Sequence, residues 1–209
     1  QDENCKNYVS IIDKNLGRLI HLVSDIFDFT KLEEGKTDWV FERNNLSDLI
    51  ADTIYILSPL ASEKNITITF NNQDDLYAVI DFERFEQVLV NIIENAIKFS
   101  EKNTEINILA EKKDHEIIIQ INDQGPGIPE QNLKSIFEKF QTIPSSGKDG
   151  KPKGTGLGLA ISRKIIQLHH GSIKAENRPP KGSVFILKIP LSPPKITGIK
   201  GHLFTKRML

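Results

Sequence analysis

Asn91-Ile92-Ile93-Glu94-Asn95-Ala96-Ile97-Lys98-Phe99-Ser100 forms the second half of a predicted helix that begins after Asp81, a residue type suited to capping it. At about 100° per residue, Asn91, Asn95 and Lys98 fall within an arc of about 60°, flanked by Gln87 and Glu94. Phe85, Leu89, Ile92, Ile93 and Ala96 occupy the opposite side. One face therefore belongs to a core, and the other carries two carboxamides and a lysine in successive turns. A plain surface helix also has a polar face, but this set has a specific chemistry. Amide oxygens are neutral ligands for Mg²⁺, which keeps waters and takes substrate phosphates as well. A lysine one turn further on reaches phosphate oxygens as a point charge.

Two glycine-rich turns lie downstream. Asp123-Gln124-Gly125-Pro126-Gly127-Ile128-Pro129 ends a predicted strand, Glu116 to Asn122, and its glycines permit close approach of backbone to a ligand. Asp123 either caps this turn or accepts a hydrogen bond from a flat polar ligand. Lys153-Gly154-Thr155-Gly156-Leu157-Gly158-Leu159 places glycines at alternate positions and runs into a helix, Leu157 to His169. Backbone N–H groups and the positive end of a helix dipole make such a turn an anion site; a flexible linker is the plain alternative. The G-x-G-x-G spacing after a lysine-rich loop is neither a P-loop nor a dinucleotide fingerprint.

Upstream, Tyr8 to Leu32 contains no proline, and Val9, Ile12, Leu16, Leu19, Val23 and Ile26 form a heptad seam. This predicts a bundle helix, or else an amphipathic helix lying on its own domain, with Gly35 at its C-terminal cap. Trp39 to Glu42 reads as a strand, and Ser47 as the cap of a helix towards Lys64 that Pro59 kinks or shortens. Ile66 to Phe70, Tyr77 to Ile80 and Glu105 to Ala110 read as further strands, and Pro129-Glu130 as the start of a helix through Phe140. Gln141 to Lys153 reads as a loop, and Ser172 to Ala175 and Ser183 to Ile189 as the last strands. This order predicts an α+β fold with a mixed or antiparallel sheet covered by helices on one face.

Composition bounds the partners. Over 209 residues, 27 Lys and Arg balance 28 Asp and Glu, so no bulk field points to nucleic acid or to an acidic membrane. The lone Cys5 cannot form an internal disulfide, which fits a reducing, cytoplasmic compartment. No apolar run approaches the length of a membrane span, so no direct membrane contact is expected. The chain starts at Gln1 without an initiator methionine and reads as part of a longer protein.

Taken together, these motifs resemble the sensor histidine kinases of two-component systems. Asn91 to Ser100 is similar to that family's N box, Asp123 to Gly127 to its G1 box and Ile136-Phe137-Glu138-Lys139-Phe140-Gln141 to its F box. Gly154 to Leu159 is similar to the G2 box, and Gly182-Ser183-Val184-Phe185 to the last glycine motif. The run from Arg18 to Gly35 resembles the second helix of the dimerisation and phosphotransfer hairpin. The resemblance spans about residues 4–190. It implies that residues 1–36 are that helix, 37–190 an ATP-binding catalytic domain of the Bergerat (GHKL) two-layer α/β sandwich type, and 191–209 a basic tail or linker.

The resemblance also implies roles for the cofactors, ATP and Mg²⁺. Asn91, Asn95 and Lys98 would form the catalytic set, with Asn91 and Asn95 on Mg²⁺ and Lys98 on phosphate. Asp123 would take the adenine amino group and Phe99 would pack near the base. Gly125, Gly127 and Ile128 would belong to the adenine pocket, and Lys153, Gly154, Thr155, Gly156, Leu157 and Gly158 to the phosphate cradle. Gln141 to Lys153 would be a lid over ATP, anchored by Phe137 and Phe140. ATPases of the same fold usually carry a glutamate general base where this chain has Asn91, so transfer to a protein acceptor is the better reading. A non-catalytic ATP-binding or dimerisation module is the other alternative.

The family phosphorylates a histidine on the first hairpin helix, usually followed by an acidic residue. His115-Glu116 and His21 lack that context and read as ordinary surface histidines; His169 and His170 read as cations at a helix C-terminus. The acceptor is therefore expected upstream of Gln1. Expected partners are a response-regulator receiver domain and a second copy, forming a homodimer through the N-terminal helix. The form of the F box is a hint of a hybrid kinase. After Pro193-Pro194 the tail carries Lys195, Lys200, Lys206 and Arg207 and no acid.

Overall fold

The structure is a computed structural model that describes residues 2–72, 76–142 and 154–191. The heptad seam forms one helix, α1 (Asp2–Glu33). It stops where expected: Gly35 takes φ +64°, and Lys36 N donates to Lys31 O at 3.1 Å, the long bond of a Schellman end. There follow β1 (Phe41–Asn45), α2 (Leu46–Ser62), β2 (Thr67–Asn72), β3 (Tyr77–Asp81) and α3 (Phe82–Phe99). The chain continues through β4 (Glu105–Lys113), β5 (Glu116–Asn122), α4 (Gly158–Leu168), β6 (Ser172–Asn177) and β7 (Ser183–Pro190).

Five strands form one sheet in the order β2-β4-β5-β7-β6, and β1 pairs with β3 in a separate antiparallel ribbon. β2 and β4 are parallel and the other sheet pairs antiparallel, which makes the sheet mixed. Alternate residues of β5, namely Ile117, Ile119 and Ile121, are buried together with Ile106 and Ile108 of β4 and Leu187 and Ile189 of β7. Against them pack Phe85, Leu89, Ile92 and Ile93 of α3, Leu49 and Ile50 of α2, and Ile165 of α4. The α+β fold predicted from the element order, with helices covering a mixed sheet, is the observed architecture, as is the two-layer sandwich that the resemblance implied. The buried stripe of α3 is the apolar face read from its sequence, so its polar face is left for other work.

Several local readings are corrected. The first strand begins at Phe41, not Trp39: the rings of Trp39 and Phe41 stack at 5.8 Å in the core, and the ladder starts with Phe41 opposite Asp81. Asn45, not Ser47, caps α2, because the Asn45 carboxamide accepts from Ser47 N at 3.0 Å and puts the serine inside the first turn. α2 passes through Pro59 and stops at Ser62 instead of Lys64. No helix spans 129–140. Two short 3₁₀ turns, Glu130–Asn132 and Ser135–Phe137, replace it. Ser135 Oγ donates to Asn132 O at 3.3 Å, a local bond that competes with a helical ladder.

His169 is not a helix-end cation but a buried neutral imidazole. It sits among the rings of Trp39, Phe41 and Phe85, with centroids 5.7, 5.0 and 5.8 Å away. Nδ1–H donates to Ile165 O at 2.8 Å, which leaves Nε2 to accept from Asp81 N at 3.0 Å. Burial among these rings holds its pKa below the usual value of 6.5. Through Asp81, whose carboxylate caps α3 by accepting from Arg84 N, this imidazole ties the end of α4 to the start of α3.

The N-terminal helix lies on its own domain over only part of its length. Near its end α1 lies on the domain, with Leu32 buried and Phe29 packed against the core. Further up, the seam residues Val9, Ile12, Leu16, Leu19 and Val23 are exposed by 52 to 64%. This part of α1 presents an apolar stripe with no cover from its own domain.

Candidate functional site

The polar edge of α3 meets the start of α4. Asn91 Nδ2 donates to Ser162 Oγ at 2.8 Å, and Asn91 Oδ1 accepts from Asn95 Nδ2 at 3.4 Å. The approach is so close that a Cβ on Gly158 would lie 2.3 Å from Asn91 Oδ1, inside any real contact. One turn further along, Lys98 Nζ lies 3.1 Å from the position a Cβ on Gly154 would take. The glycine-rich segment and the polar edge of α3 are thus brought together at two points. Of the predicted catalytic residues, Asn91 lies against Gly158, Lys98 against Gly154, and Asn95 bonds Asn91.

The start of α4 suits an anion. It opens without a side-chain cap at Leu157, so its first turn presents backbone N–H groups and the positive end of the helix. Thr155 Oγ1 accepts from Leu157 N at 3.3 Å and shapes the turn. Gly156, at φ +72°, lies against the end of the F box, where a Cβ would sit 2.7 Å from the Phe140 carbonyl carbon. Phe137 is buried and packs edge-on against Phe185. Phe140 differs. Its ring is exposed, and it contributes backbone at φ +60° rather than a buried side chain. Lys153 and the lid segment from 143 onward lie outside the described residues, as does the tail from 192.

At the C-terminal end of α3 stands the Asp123 turn. The Asp123 carboxylate is buried, and Oδ1 accepts from Gly125 N at 2.8 Å and from Ser183 N at 3.2 Å. Oδ2 accepts from Ser183 Oγ. A carboxylate has about four acceptor positions, so these three bonds hold it while leaving Oδ2 capacity for one more donor. The two readings of Asp123 are therefore compatible: it caps the turn and retains an acceptor. A Cβ on Gly125 would lie 3.1 Å from Phe99 O, which brings this turn onto the last residues of α3. Phe99 itself is 39% exposed, and Lys98 Nζ lies 5.2 Å from its ring centroid. Gly127 takes φ +80°, and the half-buried Ile128 packs on the core.

Four contributors were not assigned from the sequence. Ser162 holds Asn91, Ser183 holds Asp123, and Asn177 holds Ile128 through N–H at 2.8 Å and C=O at 2.7 Å. Lys64 donates to Ile97 O and Lys98 O, both at 2.7 Å, and to Ser100 O at 3.1 Å. It thereby satisfies the last carbonyls of α3 with a cation, as the helix dipole favours. The lysine precedes the Asn65-Ile66 turn and the three carbonyls lie more than thirty residues on, so no local pattern announces the contact.

Helix α1 also reaches this site. Thr155 Oγ1 donates to Asp25 Oδ2 at 2.7 Å, and Asp28 Oδ2 accepts from Gln87 Nε2 at 3.2 Å. Lys139 of the F box pairs with Glu33 at 2.8 Å and lies over the Phe29 ring at 4.4 Å. The acidic side of α1 is thus spent on α3, the F box and the glycine-rich turn. His115 sits in the β4–β5 turn, where its carbonyl accepts from Leu191 N.

Comparison with known proteins agrees with this arrangement. The sequence profile of the histidine kinase-, DNA gyrase B-, and HSP90-like ATPases matches residues 80–193, more than half of the chain, and the chain belongs to that family. Within it the likeness is to sensor histidine kinases. Sensor histidine kinase TmoS of Ectopseudomonas mendocina is 31% identical over 186 residues, which cover 88% of this chain and 19% of TmoS. The structure of histidine kinase ThkA in complex with the response regulator protein TrrA is 32% identical, with a TM-score of 0.75 over 94% of this chain and 54% of that one. ShkA in complex with AMPPNP is 26% identical, with a TM-score of 0.76 over 90% of this chain and 39% of that one. The chain spans about a fifth of the length of TmoS. Residues 80–193 are thus a catalytic, ATP-binding domain of the sensor histidine kinase type. Among the described residues, no helix is long and apolar enough to cross a membrane.

Proposed function

We propose that this chain binds ATP with Mg²⁺ between α3, the Asp123 turn and the Gly154–Gly158 turn, and transfers the γ-phosphoryl group to a histidine of a bundle helix. The observation that carries this reading is the double meeting of Asn91 with Gly158 and of Lys98 with Gly154. It sets a lysine and two carboxamides of α3 along the glycine-rich turn and the start of α4. In the proposed roles, the Asp123 carboxylate accepts from the adenine amino group, with Gly125, Gly127, Ile128 and Phe99 about the base. Lys98 and the Gly154–Gly158 backbone hold the phosphates.

The residues present fit Mg²⁺. Asn91 Oδ1 accepts one hydrogen bond from Asn95 and has a second lone pair, so both carboxamides offer hard, neutral oxygen. Among the described residues no three His, Cys, Asp or Glu converge on a metal site, so we place the ion between these amides and the nucleotide phosphates. Bound there, Mg²⁺ would neutralise phosphate charge.

Asn91 also decides between transfer and hydrolysis. A glutamate there would be a base for water, whereas a carboxamide takes no proton. Glu94 is exposed and rotated about 60° from Asn91, which leaves it no such role. We further propose the division into a bundle helix (1–36), a catalytic domain (37–190) and a tail (191–209). The exposed stripe of α1 fits a homodimeric helix bundle bearing the acceptor, with a response-regulator receiver domain as the next phosphoryl acceptor and the cytoplasm as the place of action. Titration with an ATP analogue with and without Mg²⁺, then transfer of labelled phosphate from ATP to a supplied acceptor helix, tests the reading. Binding that Mg²⁺ strengthens, with acid-labile label on the added helix, is the expected result. ATP hydrolysis without transfer would overturn it.

A further inference from the structure

We infer that Asn177 is a positioning residue for the base pocket, an inference that rests on the ATP-binding reading above. The segment from Asp123 to Ile128 is held at its two ends by two residues that face each other across one strand pair. In the antiparallel β6–β7 ladder, Asn177 is the direct partner of Ser183. Ser183 fixes the first end, through its N–H and hydroxyl on the Asp123 carboxylate and its carbonyl on Asp123 N at 2.9 Å. Asn177 fixes the second. Its Oδ1 accepts from Ile128 N at 2.8 Å and its Nδ2 donates to Ile128 O at 2.7 Å. One side chain thus supplies both bonds that a neighbouring strand would supply to Ile128.

The fit around this splint leaves little room. A Cβ on Gly127 would lie 3.0 Å from Asn177 Oδ1 and 3.4 Å from Gly182 O. A Cβ on Gly182 would overlap Asp123 O at 2.0 Å. The turn between the strands is closed by Arg178 N donating to Gly182 O at 3.0 Å, so the two clamps sit on one short hairpin. Asn177 is exposed and lies at a strand end, where surface substitutions cost little stability. Its expected effect is on the placement of Gly127 and Ile128, and hence on recognition of the base rather than of the phosphates.

The test is binding of ATP and of inorganic tripolyphosphate to the full 209-residue chain and to its Asn177→Ala variant. Loss of two neutral hydrogen bonds is expected to weaken ATP binding about 5- to 30-fold. Tripolyphosphate affinity should stay within about twofold, since only the phosphate end holds that probe. Asn177→Asp keeps the acceptor for Ile128 N and removes the donor to Ile128 O. It should show the same selective loss, and it serves if the alanine variant does not fold. Unchanged ATP affinity in a folded variant, or equal weakening of both probes, would overturn the role of Asn177. Failure of the unaltered chain to bind ATP would instead overturn the reading on which it rests.

Discussion

Asp123→Asn is the sharpest probe of the proposed site, because the structure tolerates the asparagine while the proposed base contact should not. Asp123 Oδ1 accepts from Gly125 N and Ser183 N, and an amide oxygen in the same position accepts from both. The amide nitrogen then replaces Oδ2. It faces Ser183 Oγ, which donates to the carboxylate but can equally accept from an amide. The turn keeps all its partners, and the melting temperature should move by no more than about 3 °C. The remaining position at Oδ2 changes from an acceptor to a donor, and the adenine amino group proposed to bind there is also a donor. A hydrogen bond to a charged group contributes about 1.5–3 kcal/mol, so ATP affinity should fall about 10- to 150-fold. Isothermal titration of both proteins with an ATP analogue, beside a thermal melt, makes the comparison. An Asp123→Asn chain that melts like the parent and binds within about threefold of it would refute the assignment of Asp123 to the base.

Gly158→Ala should cost about 1–3 kcal/mol in urea unfolding, because its Cβ has to displace Asn91 Oδ1 from a place Ser162 and Asn95 help fix. Mg²⁺-dependent binding of an ATP analogue should weaken with it, whereas unchanged binding would separate Asn91 from the ion. Lys64→Met removes a cation from three carbonyls at the end of α3 and should destabilise by about 1.5–3 kcal/mol, with Lys64→Arg recovering part of the loss in the same unfolding assay. His169 predicts an acid limb of stability. Burial lowers its folded pKa below 6.5, so below that pH the unfolded chain takes up a proton that the folded chain refuses. Its contribution is intact above pH 6.5 and is lost as pH falls, at up to about 1.4 kcal/mol per unit. His169→Gln should flatten the fall in urea midpoint between pH 6.5 and 5.5, and an equally steep fall in the variant would place the titration elsewhere.

The fold was legible where a periodic pattern coincided with burial. α3 and β5 carry unbroken periods of 3.6 and 2, and both were placed within a residue of their observed ends because the core reads the same pattern. Local rules failed where a distant contact outweighed them. Trp39 has the composition of a strand residue but is held by the rings of Phe41 and His169. His169 looks like a helix-end cation until Trp39, Phe41 and Phe85 enclose it. At 129–140 a proline start suggested a helix, yet Ile136 and Phe137 are the buried residues of those turns, too few to make a stripe that would reward one.

The site divides in the same way, and the division has a physical cause. Groups proposed to meet the ligand must be particular residue types at particular spacings, so Asn91, Asn95, Lys98, Asp123 and the Gly154–Gly158 turn stand out along the chain. Groups that hold them in place need only reach them, from anywhere the fold provides. Ser162 comes from α4, Ser183 and Asn177 from the last hairpin, and Lys64 from the turn after α2. Each bond spans more than thirty residues and imposes no spacing on either partner. Even Asp25, which reads as one charge on the outer side of a bundle helix, bonds Thr155 across 130 residues. The same contact makes the end of α1 part of the surroundings of the glycine-rich turn. Thr155 in turn accepts from the N–H of Leu157 at the mouth of α4, so one hydroxyl joins α1 to the start of that helix.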